Sequence, residues 1–387
     1  MIFPRPIHIL AAQRSPIGRF GGAFQEVSAV TLAAEVAQAV LLPCGGLVPD
    51  QVIVGQALPA GTGMNLARQL VMHLKLKPCV PGFTVSMACG SGLQSVILAA
   101  SAIAAGDAQV VLSGGAENMS RAPFLDVSSR WQKKVEPAML TDSIQCDGLS
   151  DPYLNIGMGE TAERIADRFK INRHEQDSFA LSSQQRAGEA SGDFKREIVA
   201  MTTGQGRCER DEHPRSGITL EKLATLKPAF REKGTVTAGN SSGINDGAAL
   251  VLLASAEAMK RHALSSRARV VGAQSIGCDP SMMGLGPVAA VQALCGELSW
   301  NLSEVPAVEI NEAFAAQTLA CIRELGLREN QVNLRGGAIA LGHPIGCSGA
   351  RILVTLLHLL EDRGWQRGIA SLCVGGGMGI ALAVERD

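Results

Sequence analysis

No CxxC pair occurs among the ten cysteines of this 387-residue chain, and their spacing is irregular. That excludes a zinc-ribbon pattern and a small disulfide framework, and it fits a reducing compartment. Net charge is also missing: 35 Lys and Arg stand against 36 Asp and Glu, so no global field draws the chain to nucleic acid or to an anionic membrane. No run of 18 apolar residues is present, and the opening MIFPRPIHILAAQRSP lacks the basic start and long apolar stretch of a signal peptide. The expectation is a cytoplasmic protein without membrane insertion. GxxxxGK[ST] and HExxH are absent, and the GxGxxA at Gly157 follows no convincing strand. Nucleotide-redox and metal chemistry are therefore not expected, and no metal ligands are assigned.

Aromatic residues are scarce at 4%, whereas hydrophobic residues make up 46% and there are 43 glycines. This describes a globular core of Ala, Val, Leu and Ile packed around glycine turns, in a chain long enough for roughly two to three domains. The rest is organised around TVSMACGSGL, a strand running into a helix with Cys89 at the joint. Residues 93–105 have almost no polar face, the mark of an enclosed helix. A cysteine at the mouth of such a helix meets the positive end of its dipole, which favours thiolate over thiol.

Strands are expected over residues 6–12, 51–57 and 81–88, with helices over 29–42 and 65–74. A further strand, 108–113, is expected to end at Gly114 and Gly115. Strand and helix alternate, so the class is α/β. From residue 116 to about 235 charges rise and alternation fades, apart from helices at 159–169 and 175–190. This section reads as an insertion lying over the core. The last third repeats the first: Cys89 lies 17 residues before Gly106 and Cys347 lies 17 before Gly364, each across an apolar helix that leads into a strand. Two such halves place their apolar helices against each other between two sheets.

Four segments combine reactive side chains with glycines: CGSG at Cys89, NEAF at Asn311, GGAIALGHPIGCSG around His343 and CVGGGMG at Cys373. A cysteine needs a base to become a strong nucleophile, and His343, lodged among glycine turns, is the candidate. Cys373 enters a glycine run whose amide hydrogens can face a developing negative charge. A second thiol there fits a proton carrier, given an ordinary thiol pKa near 8.

The sequence resembles the thiolase family over nearly its whole length. SMACGSGLQSV, GGAENMSRAP, GTVTAGNSSGINDGAA, MGLGPV, EINEAFAAQ, GGAIALGHPIGCSGARI and CVGGGMGIA match thiolase blocks in order. The resemblance implies a thiolase fold: two similar βαβαβαββ halves in a five-layered αβαβα core with an inserted loop domain. The halves would be residues 1–117 plus 236–264 and residues 265–387, with the loop domain at 118–235. It implies Cys89 as the acyl-accepting nucleophile, His343 as its base, Cys373 as the thiol that moves the α-proton, and Asn311 as the holder of a water that, with His343, stabilises an enolate. The N–H groups of Cys89 and Gly375 would meet the oxyanion. Ser242 would contact the pantetheine arm of CoA and Arg215 its nucleotide end. Coenzyme A thioesters would be substrates, no cofactor would be covalently bound, and the partner would be a second copy, as homodimer or homotetramer.

The implied activity is acetyl-CoA C-acetyltransferase, with a degradative 3-ketoacyl-CoA thiolase as alternative. A decarboxylating ketoacyl synthase calls for His or Asn where Cys373 stands, and a non-catalytic CoA or lipid binder would have lost one of the three reactive residues. Two departures from the family pattern bear on the acyl and pantetheine sites. Gly157 replaces the His of HMG, and Arg335 replaces the second Asn of NVNGGA.

Overall fold

The computed structural model describes residues 1–131 and 140–386; residues 132–139 of the expected loop domain, and Asp387, lie outside the described residues. The first half comprises β1 (Ile2–Arg14), α1 (Ala29–Leu41), β2 (Gln51–Gly55), α2 (Leu66–His73), β3 (Gly82–Val85), α3 (Ser91–Ala105) and β4 (Val110–Asn118). The helices begin where polar caps stand: the Ser28 side chain accepts from Thr31 N–H, and that of Asn65 from Arg68 N–H, which satisfies amides the first turn leaves unpaired. The middle section carries α4 (Met158–Phe169) and α5 (Arg173–Glu189), the latter opened by an Asn172/Glu175 capping box. The chain then returns as β5 (Asn245–Ser255), antiparallel between β1 and β4, with Val251 opposite both Ala12 and Ser113.

The second half comprises β6 (Ala268–Gly277), α6 (Gly286–Leu298), β7 (Ala307–Ile310), α7 (Ala315–Glu324), α8 (Ser348–Arg363), β8 (Arg367–Val374) and β9 (Met378–Glu385). The strands form one ten-stranded sheet in the order β7-β8-β9-β6-β1-β5-β4-β2-β3, with Gly18–Arg19 pairing onto β5. The two half-sheets are thus joined edge to edge through β1 and β6, where Ile7 faces Val270. Neither edge strand is left unpaired there.

Alternation along the strands sorts the core into layers. Ile53, Val111, Val251 and Leu253 turn one way, and Leu372, Val374, Ile380 and Leu382 meet them across α3 and α8, all in one buried cluster. Val52, Val54, Leu112 and Leu250 turn outward under α1 and α2. Val308, Ile369, Ala381 and Ala383 turn outward under α6. The result is the five-layered αβαβα arrangement, with α3 and α8 as the central layer. The stretch Ala88–Ala105 is the one helix among the described residues long and apolar enough to cross a bilayer. Its residues Leu93, Val96, Ala99, Ala100 and Ile103 are buried in the cluster between the two half-sheets, against α8.

Two glycine pairs allow the halves to close. A Cβ added at Gly92 would lie 2.8 Å from the Gly346 carbonyl oxygen, and one at Gly349 would lie 2.5 Å from the Leu93 nitrogen. The helix mouths therefore touch backbone to backbone. Gly114 and Gly115 do not end their strand as the sequence led us to expect: β4 continues to Asn118. A Cβ at Gly114 would sit 2.1 Å from the Ala249 oxygen and one at Gly115 would sit 2.1 Å from the Gly346 oxygen. These glycines are places of close approach rather than a stop.

Candidate active site

Cys89 stands in a short 3-10 turn, Ala88–Gly90, between β3 and α3. Ala88 before it has φ of 42°, a left-handed conformation uncommon for a residue with a side chain and often held at functional sites. The thiol is packed beside Ala57, Leu58, Met119, Ile144 and Ile345. Burial pushes it up to about 11, against the opposing pull of the Gly375 and Cys89 backbone N–H groups. The expectation of a resting thiolate at a helix mouth is therefore corrected: loss of hydration outweighs the dipole and the amides. The family resemblance implies the same two amides as the oxyanion pair, and both hydrogen-bond to the sulfur.

Cys373 is the penultimate residue of β8, with no exposed surface. It lies among Met158, Ala162, Val236, Met283, Ala313 and Phe314. Burial, and then the proximity of Cys89, raises its thiol well above the ordinary value, so the expectation of a thiol poised near neutrality is also corrected. The two sulfur-bearing turns are in contact, since a Cβ at Gly90 would lie 3.0 Å from Val374 Cγ2. Asn311 continues from β7, and its N–H donates to Ser371 O at 3.0 Å, two residues before Cys373. Its side-chain Nδ2 and Oδ1 are both buried without a protein partner. A buried amide in that state calls for water or ligand.

His343 is 6% exposed, and its Nδ1 lies 2.5 Å from Ser348 Oγ. The Ser348 hydroxyl donates its one proton to Pro344 O at 2.9 Å, so its oxygen accepts from Nδ1–H. That leaves Nε2 with the lone pair, and Nε2 is buried without a partner. Burial, and then the Arg351 charge, pulls the imidazole down to about 4, which keeps it neutral and able to accept a proton. The backbone is fixed as well: His343 N–H donates to Asn245 Oδ1 at 3.0 Å.

Ser242 is half-buried, and its N–H donates to Ala313 O at 3.0 Å, which sets it beside the NEAF segment. Arg215 lies elsewhere, exposed on a turn whose N–H donates to Gln184 Oε1 at 2.8 Å. Gly157 precedes α4 in extended conformation, and a Cβ there would meet only Leu149 O, at 3.8 Å. Space for a side chain is therefore left open. Arg335 is not at the histidine: it is buried and hydrogen-bonded to Asp362 at the far end of α8.

Sequence reasoning missed Ser348, Asn245 and Glu117. The first two stand in quoted motifs but show no reactive pattern. Glu117 gave a signal that went unread, a carboxylate in the otherwise uncharged strand VVLSGGAEN.

Comparison with known proteins bears on this arrangement. The family model described as "Thiolase, N-terminal domain" matches residues 7–257, and "Thiolase, C-terminal domain" matches residues 264–386. The chain is 47% identical over 389 residues to an acetyl-CoA acetyltransferase of Chromobacterium violaceum, covering 98% of this chain and 99% of that one. It is similar in structure to the Bacillus anthracis acetyl-CoA acetyltransferase, with a TM-score of 0.95 and 44% identity over 98% of each chain. It is also similar to human mitochondrial 3-ketoacyl-CoA thiolase in complex with CoA, with a TM-score of 0.97 and 39% identity over 100% of this chain and 99% of that one.

Proposed function

The chain belongs to the thiolase family, and from that premise we propose that it is an acetyl-CoA C-acetyltransferase, interconverting two acetyl-CoA with acetoacetyl-CoA and CoA. The observation that carries this reading is an imidazole held as a neutral base, Nε2 free, on a turn whose Ile345 packs against Cys89. The Cys89 sulfur attacks the thioester carbonyl as His343 Nε2 takes its proton, so no free thiolate need accumulate. The oxyanion meets the N–H groups of Cys89 and Gly375. CoA leaves as the thiol with the proton of Cys373, which becomes a thiolate, while His343 keeps the Cys89 proton on Nε2. In the second half-reaction the Cys373 thiolate removes the α-proton of another acetyl-CoA, and the enolate oxygen is held by the Nε2–H of His343 and a water on Asn311. The carbanion attacks the Cys89 thioester, acetoacetyl-CoA forms, and the expelled Cys89 sulfur takes its proton back from His343, so both thiols are restored. Ser242 would hold the pantetheine arm and Arg215 the nucleotide end. The cycle needs no covalently bound cofactor, and two free thiols suit a cytoplasmic setting.

The same reading divides the chain at residues 118–235 into two halves and a covering domain. It also places a second copy against β3, an unpaired sheet edge beside exposed Phe83 and Met64 that leads straight into Cys89. The experiment that tests the reading is trapping. Incubation with acetyl-CoA, acid quench and digestion should leave one acetyl group on the peptide containing Cys89. Acetyl found only elsewhere rejects it.

The room beside Gly157 favours one second reading, a 3-ketoacyl-CoA thiolase for longer chains. Thiolysis of 3-ketoacyl-CoA substrates separates the two, because kcat/KM should be highest for acetoacetyl-CoA under the first. A steady rise with chain length would establish the second.

A further inference from the structure

Glu117 lies one residue from the end of β4, with no exposed surface. Its Oε2 accepts from Ala57 N–H at 2.8 Å and from Gly346 N–H at 2.9 Å, while Oε1 accepts from Leu58 N–H at 3.3 Å. The first and third amides belong to the loop after β2, in the first half of the chain. The second belongs to the turn between His343 and α8, in the second half. Contact is tight: a Cβ at Gly346 would fall 2.7 Å from Glu117 Oε2 and 2.8 Å from the Ala57 nitrogen. Three donors converging from two directions require an acceptor-only group with two oxygens, which among side chains means a carboxylate. Burial nevertheless raises its pKa to about 7, with the three amides opposing, so a cost is sustained here that an apolar residue would avoid.

What the carboxylate holds is the frame of the reacting groups. Leu58 and Ile345 are packed beside Cys89, and Gly346 lies between His343 and the Ser348 that orients its ring. We propose that Glu117 is a positioning residue for acylation, pinning the His343 turn of one half to the Leu58 loop of the other so that Nε2 meets the Cys89 thiol. It touches neither sulfur nor ring, and the inference rests on Cys89 being the acylated nucleophile.

The test compares the full-length wild type with Glu117→Gln and Glu117→Asp. Acetylation of Cys89 by acetyl-CoA is followed by rapid quench, with the final fraction acetylated read by intact mass and KM measured separately. Gln keeps the shape but sets an NH2 donor against one of the amides. Asp keeps the charge but falls a methylene short of them, and it carries the test if Gln does not fold. The expected result is a Cys89 acetylation rate lower by roughly 10- to 100-fold for Gln, an intermediate rate for Asp, an unchanged final fraction, and KM within about twofold. An unchanged rate overturns the proposal. So does a reduced acetylated fraction that reacts at the wild-type rate, because that is a folding defect and nothing more. Wild type that carries no acetyl on Cys89 would instead reject the functional reading itself.

Discussion

At the scale of single residues, the site depends on which proton sits where. Hydrogen bonds fix one tautomer of His343, and burial keeps the ring neutral. The sign for pH follows: a folded-state pKa of about 4 means that Nε2 stays unprotonated as pH falls from about 8 to 6. His343 should therefore contribute no acid limb to Cys89 acylation in that window. Ser348→Ala removes the acceptor for Nδ1–H and lets the proton move to Nε2, where it blocks the base. The expected consequence is a fall in acylation rate of roughly 10- to 100-fold, recovered in large part by Ser348→Thr, with little change in KM for acetyl-CoA. Rapid-quench acetylation over that pH range measures both points. A Ser348→Ala rate equal to wild type would sink the tautomer argument. The sequence exposed Cys89, His343 and Cys373 because each lies in a glycine-flanked segment with a reactive group. It concealed their proton affinities, because the helix-mouth argument is local and burial is not. The apolar residues that raise the Cys89 thiol come from positions as far apart as Ala57 and Ile345.

Among the elements, α3 and α8 do most to create the site. Each is apolar enough to be enclosed, and packing one against the other at their N-terminal ends brings the Cys89 turn and the His343 turn together. Gly92 and Gly349 set how near the helices can come, since any side chain there would strike backbone. This pairing was legible: both helices are apolar, equally spaced from their cysteines, and followed by similar strands. The role of β4 was not. Gly-Gly normally punctuates a strand, and only the backbones of Ala249 and Gly346, far along the chain, explain why the strand runs through it. Glu117 was hidden for the same reason, with one of its amides 229 residues away. The edge pairing of β1 with β6 carries no local sign either, because any apolar strand edge could have served.

Across the whole molecule, buried cations tie the middle section to the two halves. Arg14 of β1 bonds Glu197 through Nε at 2.6 Å and Asp211 through Nη1 at 2.6 Å. Arg335 bonds Asp362 at the end of α8 and lies 3.3 Å from Asp193 in the middle section. Asp362 in turn is bonded by Arg196. Arg335 drew attention in the sequence as a charge near the loop of His343, but its guanidinium meets Asp362 at the opposite end of α8, 14 residues beyond Ser348, or about 21 Å of helix. Its function is therefore attachment, not chemistry. Arg335→Asn should lower the melting midpoint by a few degrees, corresponding to about 1–3 kcal/mol once the exposure of Asp193 and Asp362 is discounted. The rate of Cys89 acetylation at 25 °C should stay within about threefold of wild type, since no atom near His343 moves. Calorimetry and rapid quench on the same preparation decide the matter. A stable variant with greatly slowed acetylation would mean that the cation acts on the active site after all, through the buried Glu309, which feels both Arg335 and Arg351, and through Arg351 the imidazole.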